Sequence, residues 1–361
     1  MFYLTLLLFF IINIYSCERL VIKNNNPAYF LGIFPTFIFL WLVPGLQNGV
    51  GVDYESYVDM YYYSDELDRV YRNGEYAFYY IFHLIKEFEF GQQGIFIVSA
   101  LSNSIITLLV AFKIRKITEN KYSLCLIIFL FFVVTNMFHN QMNGIRQYIA
   151  VFLFPLAYIL LFEKRFKSSL LVFIFASFIH KTALVGLLFI PIAFMYISIS
   201  RLKLFFIFIL LPFIYFSLGG VVSFVIVKFF PLYEHYLNSD YGQALPLSSV
   251  LSRVYYLPVF LWFWYAFLHD KSYLHDLIKG LLCIWIFSFW LFIFFLDYGF
   301  FYRIAVYFYF FNIIPICFLF YSLKSSRSYL QIVLLLIYIT FPYLLKVTVL
   351  ARGEFLYSTI L

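Results

Sequence analysis

Twelve predominantly apolar stretches, many near the length of a bilayer crossing, follow one another along this 361-residue chain with short gaps. They cover 1–16, 27–46, 91–112, 123–138, 147–162, 168–180, 181–199, 204–222, 253–268, 277–296, 302–321 and 329–346. An α-helix needs about 20 apolar residues to cross the hydrocarbon core. Composition points the same way: 64% of residues are hydrophobic and 12% charged, against about 25% charged in a soluble domain. Such a chain lacks the polar surface to cover its apolar groups in water. In lipid every backbone N–H and C=O must find a partner within the protein, and long apolar runs do this as helices. The expected fold is therefore all-α and polytopic, with about 11–13 transmembrane helices in one membrane domain over residues 1–361. Residues 1–15 carry no Lys or Arg before the apolar run and no small-residue cleavage site follows, so they read as a first span and not as a signal peptide.

Charge orients the chain. With the N-terminus outside and the spans alternating, 15 of the 25 Lys and Arg residues fall in short inner loops, among them Arg19, Lys113, Arg115, Lys116, Lys164, Arg165 and Lys167. The outer side holds most of the acids, as the positive-inside rule prefers. The net charge of +7 is thus accounted for by loop cations, and nucleic acid is not expected as a partner. Two longer segments lie outside: 47–90, ending in an amphipathic stretch at 75–90 read as a re-entrant or interfacial helix, and 223–252. Four cysteines, Cys17, Cys125, Cys283 and Cys317, show no CxxC or Cys/His spacing, so no zinc site or disulfide framework is indicated. No Gly-rich phosphate loop, HExxH or Gly-x-Ser-x-Gly motif is present.

Polar residues near the outer face fall into four groups. Gly49-Val50-Gly51-Val52-Asp53 leads into Tyr54-Glu55-Ser56-Tyr57; its glycines permit tight turns, and Asp53 reads as a general base, a ligand for sugar hydroxyls or a solvated turn cap. His139-Asn140-Gln141-Met142-Asn143-Gly144-Ile145-Arg146-Gln147 is more polar than a helix connection requires. Its Arg146 reads as an anion fork or as a snorkelling anchor. His180-Lys181-Thr182 interrupts an apolar stretch, and ionisable groups at such depth are candidates for function, with histidine suited to proton transfer. The plain alternative is a hairpin between short spans. Asp297 to Arg303 begins a late span with a cation or forms an internal salt bridge. Arg253 is a further outer cation.

In this order the groups resemble the EpsG/Wzy-type family of bacterial polysaccharide polymerases. Gly51-Val52-Asp53-Tyr54-Glu55-Ser56-Tyr57 matches the Gly-x-Asp-Tyr-x-x-Tyr element of that family. Glu75-Tyr76-Ala77-Phe78 stands where it shows Glu-x-Gly-Phe. Arg146-Gln147 opens a span, with Ala150 shortly after. Phe178-Ile179-His180-Lys181-Thr182-Ala183 matches Phe-His-x-(Ser/Thr)-Ala with Ile inserted before His, and Tyr302-Arg303 supplies a late aromatic–Arg pair. The likeness extends over about residues 27–320 and implies a multi-span fold similar to lipid-dependent glycosyltransferases, sited in the bacterial inner membrane with its active site facing the periplasm. It further implies the joining of oligosaccharide repeat units carried on undecaprenyl diphosphate, with a chain-length regulator and a flippase as associated proteins. On that reading Arg146 and Arg303, with Arg253 in reserve, bind the diphosphate, and His180 or Asp53 acts as base. Tyr54, Tyr57, Glu75, Asn143 and Gln147 bind the glycan. No metal or other cofactor is expected. A lipid-linked glycan flippase or transporter and an O-antigen ligase are the competing readings.

Overall fold

The apolar runs fold as helices in the computed structural model, which describes residues 1–20, 27–195, 198–219, 221, 224, 228, 244–270, 275–299 and 302–360. Among these residues there is no β-strand, only an isolated antiparallel bridge between Gln47 and Thr359. Among the described residues eight helices are long and apolar enough to cross a membrane: Phe2–Leu20, Ala28–Gly45, Gly94–Ile117, Ile145–Phe162, Arg201–Leu218, Leu247–His269, Asp276–Phe294 and Tyr329–Thr348. Three shorter apolar helices, Leu124–Val133, Phe166–Ile179 and Tyr309–Ser325, accompany them. The chain is an all-α, multi-pass membrane protein. It forms two compact units, Met1–Leu184 with Val333–Leu361, and Val185–Ile332.

In the first unit, α1 (Phe2–Leu20), α2 (Pro27–Gly45), α6 (Gly94–Ile117), α7 (Leu124–Val133), α9 (Ile145–Phe162) and α10 (Phe166–Ile179) run back and forth. Three more helices, α3 (Tyr54–Tyr62), α4 (Ser64–Arg72) and α5 (Tyr76–Glu87), fold the segment between α2 and α6, and the single turn α8 (Met137–Asn140) links α7 to α9. Hydrogen bonds identify which termini share an end. At one end the start of α6 meets the end of α2, Gln93 Nε2 donating to Gly45 O at 2.6 Å and to Gln47 O at 3.0 Å. Tyr3 at the start of α1 donates to Glu354 O at 2.9 Å. At the other end the last turn of α1 meets the first of α7, Glu18 Oε1 accepting from Leu124 N at 2.7 Å, and Lys113 of α6 pairs with Glu163 after α9 at 2.6 Å. Arg19, Lys113, Arg115, Lys116, Lys164, Arg165 and Lys167, all read from the sequence as inner-loop cations, lie at or near this second end.

The hairpin α9–α10 places two of the candidate site residues, the diphosphate candidate Arg146 and the base candidate His180. It turns tightly through Lys164, whose φ of +61° is one that L-residues rarely adopt. The helices are stitched by Ser169 Oγ donating to Ala157 O at 2.8 Å. The beginning of α9 and the end of α10 therefore lie together, and with them Arg146 and His180.

The stretch 181–199 was expected to be one span and is not a continuous helix. It breaks into a 3-10 turn, Lys181–Leu184, and two single helical turns, Val185–Leu188 and Ile190–Ala193. Gly186 carries the backbone-entropy cost of glycine, and Pro191 supplies no N–H to a helix running through it. The start of the expected span 302–321 is likewise broken into Arg303–Val306 and the 3-10 turn Tyr309–Asn312 before Ile313–Ser325.

The second unit is packed on aromatic rings. Phe208 stacks on Trp285 at 5.1 Å between centroids and on Phe289 at 5.7 Å, and Trp264 and Trp285 are fully buried. Most of the expected outer loop 223–252 lies outside the described residues; its last part forms the helix Leu247–Val254.

Candidate active site

Glu75 is the centre of the ionic cluster at the first end of the first unit. The residue precedes α5 with φ −91° and ψ +55°, a conformation that turns the chain out of α4, and its side chain is only 4% exposed. Each carboxylate oxygen has its own nitrogen partner. Oε1 lies 2.6 Å from His180 Nδ1 and accepts from Lys181 N at 3.2 Å. Oε2 lies 3.0 Å from Arg146 Nη1, an ion pair outside hydrogen-bond geometry that leaves Oε2 without a donor. A carboxylate this deep is stable only when paired. Burial pushes its pKa up, but the hydrogen bond and charge of His180, the charge of Arg146 and the Lys181 N–H outweigh that and hold Glu75 below its ordinary range. It is an anion at neutral pH.

Both partners keep an open side: the Arg146 side chain is 25% exposed and that of His180 18%. Arg146 also sits over the Phe78 ring at 5.9 Å. His180 ends α10 in an extended conformation, φ −149° and ψ +116°, which turns the chain out of the helix axis at this residue. The 3-10 turn Lys181–Leu184 follows at once. A histidine held through Nδ1 by a buried carboxylate has its tautomer and ring orientation fixed by that bond.

Tyr57 and Asn143 tie the Asp53 segment to this cluster. Tyr57 is buried and its hydroxyl accepts from Arg146 N at 3.1 Å, so the helix that presents Arg146 has one of its unpaired N-terminal N–H groups satisfied by α3. Burial raises the Tyr57 pKa against the opposing pull of Arg146, which keeps the phenol protonated. Asn143 Oδ1 accepts from Val52 N at 2.7 Å and Asp53 N at 3.1 Å. Gly51 makes this approach possible: its φ is +83°, and a Cβ there would lie 2.8 Å from Asn143 Cα and Oδ1. Asp53 begins α3 with no side-chain capping bond. Tyr54 is buried, donates to Asn48 Oδ1 at 3.1 Å and stacks on Phe96 at 4.8 Å. Gln147 lies in the first turn of α9.

The structure therefore brings Glu75, Arg146 and His180 into contact and fastens the Asp53 loop beside them through Tyr57 and Asn143. Arg253 and Arg303 belong to the second unit. Arg253 donates to the hydroxyls of both Tyr302 and Tyr309 and lies over the Tyr302 ring at 4.1 Å; Arg303 is exposed at the start of its short helix. Among the described residues no three His, Cys, Asp or Glu side chains are grouped as a metal site.

Two features gave no signal in the sequence. The segment before the C-terminus is bonded to the loop that leads into Asp53: Asn48 N donates to Ser358 O at 3.0 Å, Ile360 N to Leu46 O at 3.1 Å and Thr359 Oγ1 to Leu46 O at 3.0 Å. His139, read as one polar residue among several, is fully buried. Its Nε2 lies 3.2 Å from Tyr343 OH, its ring stacks on Phe355 at 4.8 Å, and Nδ1 has no hydrogen-bond partner. Burial, with a smaller push from Lys346, lowers its pKa to about 3, so it is a neutral structural imidazole.

The chain is a polytopic helical membrane protein in which a buried carboxylate pairs an arginine and a histidine at adjoining helix ends. The family model described as the EpsG family matches residues 29–359, nearly the whole chain. The chain belongs to the EpsG family, whose members are Wzy-type polymerases, and this supports a polysaccharide polymerase-like function in broad terms. No curated protein and no solved structure matches it.

Proposed function

We propose that this protein is a polysaccharide polymerase that joins oligosaccharide repeat units carried on undecaprenyl diphosphate, at the periplasmic face of the bacterial inner membrane. The observation that carries the reading is the bridging of Arg146 and His180 by the buried Glu75 within a chain of the EpsG family. The end of the first unit opposite this cluster holds the basic loops, and the positive-inside rule assigns that end to the cytoplasm.

The chemistry required is a glycosyl transfer. The anomeric C–O bond to the lipid diphosphate breaks, and a new C–O bond forms to a hydroxyl of the acceptor's terminal sugar. The hydroxyl proton passes to a base, and the diphosphate departs with its lipid. Arg146 stabilises the charge that develops on the departing diphosphate, a term that depends on a donor already fixed in place. Its placement by Glu75 and Tyr57 provides that fixity. His180 takes the proton, with Glu75 orienting the ring and stabilising the imidazolium that results. Glu75 is thereby a positioning residue. Asp53, half-buried with no capping bond of its own, receives sugar hydroxyls. A chain-length regulator and a flippase work alongside.

The test is the surface polysaccharide ladder of the native host after gene deletion and complementation. Deletion should collapse the ladder to a single repeat unit, and wild type but not Arg146→Ala, expressed at equal level, should restore it. Loss of even the single unit on deletion would favour ligation or export instead.

A further inference from the structure

Tyr54 and Tyr57 are buried in the frame, yet the same segment exposes other tyrosines. Tyr71, at the end of α4, packs edge-on against Tyr76 and Tyr79 of α5, each at 5.0 Å between centroids. Tyr80 lies 5.3 Å from Tyr79. Tyr71, Tyr76 and Tyr80 are 43%, 42% and 57% exposed. This patch adjoins the ionic cluster directly. Tyr76 follows Glu75 in sequence, and its ring lies 5.9 Å from Phe178, two residues before His180.

We infer that the Tyr71–Tyr76–Tyr79–Tyr80 patch is a glycan-binding platform that carries the growing chain away from the Glu75–Arg146–His180 cluster, an assignment that rests on the polymerase reading. Tyrosine offers an apolar face for the C–H side of a pyranose and a hydroxyl for its polar rim, and its stiffness keeps the entropic cost of binding low. The competing occupant of exposed tyrosines in a membrane protein is the lipid headgroup layer. Two observations favour the glycan. The helix that presents Tyr71 is strongly polar, with Asp65, Asp68, Arg69 and Arg72 exposed around it. Residues 53–90 also hold nine acidic and three basic side chains, a net −6 in a chain whose total is +7. Such a segment is repelled by the anionic lipids that attract polybasic ones. The same charge selects neutral or amino-bearing sugars over acidic ones.

The experiment uses the full-length protein in detergent, without added lipid, and one- and two-repeat oligosaccharides cut from the host's own surface polysaccharide. Binding is followed by saturation-transfer NMR and calorimetry. Tyr71→Ala/Tyr80→Ala should weaken binding about tenfold or more, whereas Tyr71→Phe/Tyr80→Phe, which keeps both ring faces, should stay within about threefold of wild type. Both positions are exposed, and an unchanged melting temperature confirms that the fold is intact. In cells the alanine variant should keep the first rungs of the ladder and lose the long ones. Equal binding by wild type and the alanine variant, or no binding by wild type, overturns the platform. So does a loss confined to lipid contact, read in a second sample reconstituted with brominated phospholipid as changed tyrosine quenching while fragment binding in detergent stays intact. Failure of the polymerase reading would show separately, as a ladder unaltered by gene deletion.

Discussion

The first unit carries a buried arginine–glutamate pair at each end, and the two are built differently. At one end Arg115 Nε lies 3.4 Å from Glu18 Oε1, the guanidinium donates to Tyr29 OH, and the same carboxylate oxygen accepts from Leu124 N. Both side chains are nearly closed off, at 10% and 11% exposure. At the other end Glu75 is just as deep, but its partners Arg146 and His180 are 25% and 18% exposed. The first arrangement spends its charges on joining the ends of α1 and α6 to the start of α7. The second buries only the anion and leaves an arginine and a histidine facing outward. A buried ion pair by itself says little about function; what separates these two is which partner remains accessible.

The largest effect that tests this contrast comes from removing each arginine. Arg146→Ala should lower polymer formation by about a hundredfold to a thousandfold, the usual consequence of losing a fixed charge-stabilising donor, with a modest change in thermal stability because Glu75 keeps His180. Arg115→Ala should do the reverse. It leaves Glu18 uncompensated, which costs about 3–5 kcal/mol of stability, while the fraction that remains folded makes polymer at a near-normal rate per molecule. Fluorescence-detected melting in detergent and polymer assay on the same preparation separate the two. Equal losses of activity at equal stability would remove the distinction between the ends.

The helices were legible because an apolar run long enough to cross lipid has few other ways to satisfy its backbone. The positions of Arg146 and His180 were legible as charges out of keeping with their neighbours. The role of Glu75 was not. Glu75 was read through the family resemblance as a glycan ligand, and only the turn between α4 and α5 puts it beneath an arginine and a histidine from a hairpin seventy residues and more away in sequence. Asn143 was read as a glycan ligand; its amide oxygen is occupied by Val52 N and Asp53 N, a pairing that depends on Gly51 having no Cβ. The bonds from Ser358, Thr359 and Ile360 to the 46–48 loop left no trace in composition or periodicity, because backbone groups make most of them.

Glu75→Gln tests the anion itself. The substitution keeps the volume and a hydrogen bond to His180 while removing the charge, and it should reduce turnover by about a hundredfold. Glu75 has a lowered pKa, so the stability it contributes is present above the ordinary carboxylate range and is lost only as pH falls through the depressed folded-state value. Wild type should thus hold its melting temperature to lower pH than a solvated carboxylate would allow, and Glu75→Gln should abolish that part of the profile. With the anion gone the imidazolium of His180 is less favoured, so the acid limb of the residual pH–rate curve should move to lower pH. An unmoved limb would detach His180 from the proton transfer.

The smallest effect comes from the tyrosines that support each arginine. Tyr57 accepts from the backbone N–H of Arg146, whereas Tyr29 accepts from the guanidinium of Arg115. Removing either hydroxyl costs a hydrogen bond worth about 1 kcal/mol. In Tyr57→Phe the N–H left without a partner sits at the first turn of α9, so the helix end that aims Arg146 loosens. Turnover should drop about fivefold, KM should change little, and the melting temperature should fall only slightly. In Tyr29→Phe the guanidinium keeps Glu18, and the loss should appear in melting temperature alone. A fall in turnover in both variants would mean that the two ends are mechanically coupled through α6 and α9, and that the basic end helps set the geometry of the other.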